Sequence, residues 1–175
     1  MRQLFAAIAA VVFVLPAVAE SKVALTGENT KITFVGTKPG GKHEGGFKKL
    51  TGAAVVDGDT VTKIEVVIET DSLYSDDPKL TAHLKAPDFF GVKDNPKAKF
   101  ASTKIEKADT GVTITGDLTI NGKTKSISFP ATIVAKEGSV KITSAFSIDK
   151  RDYGMTYGGG KIDDKVALTV AVETK

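Results

Sequence analysis

Apolar residues recur at every second position along most of this chain, the spacing of strands with one buried face. Thr62, Ile64, Val66 and Ile68 share one face, with Lys63, Glu65 and Glu69 on the other. Val112, Ile114, Gly116, Leu118 and Ile120 alternate with Thr113, Thr115, Asp117 and Thr119. Ile127, Phe129, Ala131 and Ile133 keep the same period, as do Val140, Ile142, Phe146 and Ile148, and Val166, Leu168, Val170 and Val172. Weaker alternation covers Lys31–Thr37, Gly46–Val56 and Lys99–Lys107, which brings the count to eight candidate strands.

Turn chemistry joins these runs. Asn121-Gly122 fits a two-residue hairpin, because both residues tolerate positive φ. Asp57-Gly58 and Glu137-Gly138 are further turn signals. Eight short strands with local connections predict an all-β antiparallel barrel or sandwich. Pro130 inside a strand marks an edge, a bulge or a rim, since it has no N–H for a ladder.

The stretch Ser75–Leu84 departs from the two-residue period. Asp77 is placed to cap a helix and Pro78 to occupy its first position. Leu80 and Leu84 then share one face, and Pro87 closes the segment. This predicts one short helix inserted between strands, covering an end of a barrel.

Residues 1–19 read as a signal peptide. Arg2 is a basic start, Leu4 to Leu15 is nearly all apolar, and Ala17-Val18-Ala19 places small residues before a cleavage point. The apolar run is shorter than the roughly 20 residues a spanning helix needs. The expected product is a periplasmic domain of residues 20–175, cleaved after Ala19 and not membrane-spanning, with a retained N-terminal anchor as the alternative.

The chain has no Cys, which excludes disulfides, thiolate nucleophiles and Cys-based zinc sites. Its net charge of +3 is spread over lysines that alternate with acids, a pattern that does not track a phosphate backbone, so no nucleic-acid partner is expected. His43 and His83 are the only imidazoles and lie forty residues apart. A zinc site would need both plus a carboxylate such as Asp76, Asp77 or Asp88, and local hydrogen bonding is the simpler role. No metal or cofactor is expected. The glycine-rich run Gly36–Gly46 lacks the Gly-Lys-Ser/Thr ending of a P-loop and reads as a loop between strands, with a grip on a lipid headgroup as the sharper option. Ser72, Ser75 and Ser102 have no Gly-x-Ser-x-Gly context, and Asp76-Asp77 and Asp163-Asp164 sit in turns, so no catalytic set emerges. Seven phenylalanines lie beyond the leader, enough either to fill a solid barrel or to line a cavity for one ligand. The periodicity leaves these two readings open.

Several longer runs resemble one family. Asp71–Phe90, the following Asn95–Thr103, and His43-Glu44-Gly45-Gly46-Phe47 upstream are similar to motifs of the YceI-like family. Gly116–Lys125 and Arg151-Asp152-Tyr153-Gly154-Met155 extend the resemblance over nearly all of the chain beyond the leader. It implies an eight-stranded, lipocalin-like antiparallel barrel with a helix over one opening, holding an isoprenoid or other long-chain amphiphilic lipid without catalysis. The pocket residues expected on that basis are Phe47, Leu84, Phe89, Phe90, Phe100 and Met155. His43, His83, Lys85 and Arg151 are the polar candidates at its mouth. A homodimer stays open. The rival expectations are a ligand-free solid barrel acting as a periplasmic interaction or stress protein, and a hydrolase or isomerase of lipid pyrophosphates.

Overall fold

A computed structural model describes residues 20–175, so the expected signal peptide lies outside the described residues. Eleven strands form from the alternating runs: β1 (Ser21–Thr26), β2 (Thr30–Lys38), β3 (Gly41–Phe47), β4 (Leu50–Asp57), β5 (Thr60–Glu69), β6 (Leu73–Ser75), β7 (Lys97–Lys107), β8 (Val112–Ile120), β9 (Lys123–Lys136), β10 (Ser139–Asp149) and β11 (Lys165–Glu173). One helix, α1 (Pro78–Lys85), and two 3-10 turns, η1 (Thr70–Ser72) and η2 (Lys150–Tyr153), interrupt them. Every pairing is antiparallel, in the order β1-β4-β5-β7-β8-β9-β10-β11-β2-β3-β6. The chain itself ties the two ends of that order together. β1 runs into β2 across Gly27–Asn29, and β3 runs into β4 across Lys48–Lys49, so the sheet curls into a barrel.

The count of eleven rather than eight has one physical cause: a line of bends. β1 and β2 meet at Gly27, β3 and β4 at Lys48–Lys49, and β5 and β6 at η1. The bends lie side by side. A Cβ on Gly27 would stand 2.4 Å from the Lys48 carbonyl oxygen, which only glycine permits. The Lys48 N–H in turn donates to Ser72 O at 3.2 Å. Joining segments across these three corners recovers eight longer strands. Strands β1 and β6 were not expected, the run Gly36–Gly46 expected as a loop is instead a hairpin of β2 and β3 turning at Pro39-Gly40, and the expected run Gly46–Val56 is broken in two.

A bulge corrects one predicted face. Val55 pairs with Lys63 and Val56 with Val61, leaving Thr62 as the extra residue. Val61 is therefore buried, while Thr62 is exposed and its hydroxyl donates to Val55 O. Pro130 sits where β9 changes partner, pairing with β8 through Ala131 and with β10 from Thr132. Its carbonyl accepts the Ser144 hydroxyl at 2.6 Å across that corner. At one end of the barrel, next to the β4–β5 and β9–β10 turns, Val56, Val61 and Val140 are buried and close the interior. At the opposite end lie α1, the Asn121-Gly122 turn and the long connection from η2 to β11.

Candidate functional site

The inward faces of the strands do not meet at the barrel axis. They bound an apolar cavity of about 240 Å³. Ile32 and Phe34 on β2 and Val166, Leu168 and Val170 on β11 form one wall, and all five are only half-buried although they point inward. Phe100, Phe129 and Ile142 line the facing wall. Two glycines make room for aromatic rings in these walls. A Cβ at Gly116 would lie 2.6 Å from the Phe100 ring, and one at Gly45 would lie 2.4 Å from the Phe34 ring. Phe100 then tilts against Phe129 at 5.6 Å, and Phe129 stacks on Phe146 at 4.2 Å.

Helix α1 and the turn after it roof the open end. Asp77 caps the helix by accepting from the Lys79 and Leu80 amides, with Pro78 in its first turn, so the local signal predicted from sequence sets its start. Leu80 and Leu84 face down into the cavity. The tight turn beyond α1, where Phe90 N donates to Leu84 O, aims Phe89 and Phe90 the same way. Phe90 meets Phe47 edge-on at 5.6 Å. Asn121, in the β8–β9 turn at φ 51°, donates its side-chain amide to Phe89 O and pins the roof to the barrel. Outside it, His83 packs edge-on against Phe89 at 5.0 Å and Tyr157 at 4.6 Å.

The apolar residues expected at a pocket, Phe47, Leu84, Phe89, Phe90, Phe100 and Met155, all border this cavity. The polar candidates divide. His43 borders it, with Nδ1 3.0 Å from Asp76 Oδ1, and that hydrogen bond holds the Asp76 carboxyl below its ordinary value. His83, Lys85 and Arg151 do not line it. His83 lies on the outer side of the roof, 3.9 Å from Asp88. Lys85 is bound to the Asp71 carboxylate and carbonyl, tying α1 to η1. Arg151 is 58% exposed and grips Asp149 with Nε at 3.0 Å and Nη2 at 2.6 Å. That bidentate pair pulls the Asp149 carboxyl down to about 2 and raises the guanidinium further.

Sequence reasoning missed other polar groups that border the void. Lys150, only 5% exposed, donates to Asp164 Oδ1 at 2.6 Å and to Asp163 O at 3.2 Å. Tyr153 is 1% exposed, and burial pushes its phenol up to about 12. Thr37 and Asp163 join β2 to the η2–β11 connection through a side-chain hydrogen bond and the Asp163 N to Thr37 O bond. A signal existed for Lys150. The inward phase of β10 runs through Ile142, Ser144, Phe146 and Ile148 and reaches Lys150 next. Among the described residues, no group of three or more His, Asp or Glu side chains is arranged to hold a metal ion. None of the described helices is long and apolar enough to cross a membrane.

Comparison with known proteins agrees with this architecture. A family model described as the YceI-like domain matches residues 23–174. A UPF0312 protein of Pectobacterium carotovorum is 28% identical over 145 residues, spanning 74% of this chain and 71% of the relative. The crystal structure of BcnA from Burkholderia cenocepacia superposes with a TM-score of 0.75 at 22% identity, over 83% of this chain and 96% of that one. A polyisoprenoid binding domain from Saccharophagus degradans gives a TM-score of 0.68 at 13% identity, over 87% of this chain and 96% of its own. The last two likenesses show a shared fold. With the family model covering nearly every described residue, the chain belongs to the YceI-like domain family.

Proposed function

We propose that this protein is a non-catalytic, exported carrier or sequestering protein that holds the tail of a long-chain isoprenoid lipid inside its barrel. The observation that carries this reading is the cavity: apolar walls and an apolar roof with a small number of polar groups in the lining, the composition of a site for an amphiphile. A rigid apolar cavity of about 150 Å³ takes up benzene. By that measure, 240 Å³ accommodates about ten carbons, or two isoprene units, before any side chain moves. The polyisoprenoid binding domain with the same fold supports an isoprenoid as the tail. A non-catalytic role is supported by the polar side chains first expected at the mouth, which are committed to structural bonds: His43 to Asp76, Lys85 to Asp71 and Arg151 to Asp149.

Export to the periplasm rests on the leader-like residues 1–19. The test is mass spectrometry on protein made in its native cell. The expected result is a polypeptide beginning at Glu20, with one prenyl-chain lipid per chain in its organic extract. A polypeptide retaining Met1 would overturn the export reading. An extract without a prenyl lipid would overturn the choice of ligand.

A further inference from the structure

A tail in the cavity meets strands on its sides and Val56, Val61 and Val140 at the far end. The roof is the one boundary made of a short helix and a turn. No residue of α1 is buried, and Leu80 and Leu84 face the void rather than a packed layer. The two ends of this segment are well anchored. At its start Asp76 N donates to Glu44 O at 2.9 Å, and Ser75 N donates to the Thr81 hydroxyl at 2.9 Å. At its end the buried Thr70 donates its N–H to Pro96 O at 3.0 Å and its hydroxyl to Asn95 O at 2.7 Å. The middle is held differently. Among the described residues, the turn 86–94, which carries Phe89 and Phe90, makes one hydrogen bond beyond the roof itself: the Asn121 side-chain amide donates to Phe89 O.

That bond leaves an unmet group beside it. Asn121 Oδ1 is the buried side-chain atom without a hydrogen-bond partner among the described residues. An amide oxygen accepts hydrogen bonds readily in water, so burying it unpaired opposes closure of the roof. Turning the amide over gives no relief, because Oδ1 would then face the Phe89 carbonyl, acceptor against acceptor. Lifting the roof does give relief, since Oδ1, the amide N–H and Phe89 O all then meet water. The backbone presents this side chain in a fixed way: Asn121 stands at φ 51° and Gly122 at φ 67°, the left-handed pair of a tight hairpin. Asn121 is not among the residues lining the cavity, so it touches the roof and not the space a tail would fill.

We propose that the roof is a gate and that Asn121 is its latch. The turn 86–94 and α1 swing away from the Asn121-Gly122 hairpin about the anchors at Ser75 and Thr70, and a tail passes through the opening. One hydrogen bond holds the gate shut, and the unpaired Oδ1 keeps the closed state close in free energy to the open one. The proposal rests on the isoprenoid-carrier reading and adds to it how the cavity opens. A latch that bonds the roof in the empty and the filled barrel alike sets the rates of entry and exit together and leaves the affinity unchanged.

The test uses the chain from Glu20, freed of lipid, and needs no ligand for its first part. In hydrogen exchange at pH 8, the amides of Thr81, Phe90 and Val92 are expected to exchange together, about a hundredfold faster than those paired between β10 and β11. Asn121→Asp keeps the shape and the backbone preference but turns the donor into an acceptor. It is expected to speed the roof amides about tenfold further and to leave the strand amides unchanged. Asn121→Gly, which keeps the hairpin, is expected to act in the same direction with a smaller effect, because the unpaired oxygen leaves with the donor; if the Asp variant fails to fold, it decides alone. Stopped-flow mixing with farnesyl anthranilate, a fluorescent prenyl probe, supplies the second part. Both association and dissociation are expected to rise about tenfold in Asn121→Asp, with Kd constant within about twofold. Unchanged roof exchange in the variants, acceleration spread over the strands, or faster dissociation alone with weaker binding would overturn the latch. Failure of the probe to bind the unaltered chain would overturn the carrier reading, and the exchange measurement would still decide whether the roof opens at Asn121.

Discussion

Replacing Val170 with phenylalanine separates a cavity from a solid core by the signs of two effects. Val170 lies on the inward phase of β11, half-buried, opposite Ile32 on one neighbouring strand and Ser144 on the other. The change adds four carbons. If benzene's six carbons fill about 150 Å³, four carbons take up about 100 Å³. Of the 240 Å³ present, about 140 Å³ would remain. A ligand tail displaced by four carbons loses about 3 kcal/mol at roughly 0.8 kcal/mol per methylene, which is about a 150-fold rise in Kd. The protein itself gains contacts where there were none, so its stability should rise by about 1 kcal/mol and its Tm by about 2–4 °C. In a solid core the same substitution is overpacking and costs about 1–3 kcal/mol. Thermal melting and displacement of a fluorescent prenyl probe read both quantities on one sample. A lower Tm with unchanged binding would refute the cavity argument.

Other outcomes follow from the same geometry. Across a series of prenyl alcohols, Kd should fall about 700-fold per isoprene unit for the first two units, then more slowly, because longer tails must displace Leu80, Leu84, Phe89 and Phe90; calorimetric titration of the series checks this. The Tyr153 phenol, raised by burial to about 12 from its ordinary 10, favours its protonated form in the folded state. That preference is fully present below pH 10 and is lost as pH rises through 12. Ultraviolet titration should show a late phenolate signal that Tyr153→Phe removes. Asp77→Ala deprives two helix amides of their acceptor and should cost about 1 kcal/mol, read by denaturant unfolding, with a larger loss of long-tail binding than of short-tail binding because α1 is the roof.

How far the sequence reveals this molecule depends on which physical signal each part leaves. Alternation is a strong signal, and the inward faces of β8, β9, β10 and β11 were legible residue by residue. So was α1, because Asp77, Pro78 and the Leu80–Leu84 pair each mark it independently. The bends were not legible. Gly27 and Lys48 matter through a contact between strands that sequence spacing does not encode, and the extra residue at Thr62 inverts the predicted face at Val61. Void and filled core have the same alternation, so the cavity emerged only once the inward side chains were seen not to meet. At its mouth, the family resemblance pointed to Lys85 and Arg151, which bond outward to Asp71 and Asp149. Position in the strand phase was the better guide, since Lys150 continues the inward series of β10.

The most direct test of a ligand-holding barrel is calorimetric titration of the lipid-free chain with a prenyl quinone at several temperatures. The account predicts saturable binding of one molecule per chain with a negative heat-capacity change, the mark of apolar surface leaving water. Absence of saturable binding, or binding with no heat-capacity change, would contradict it.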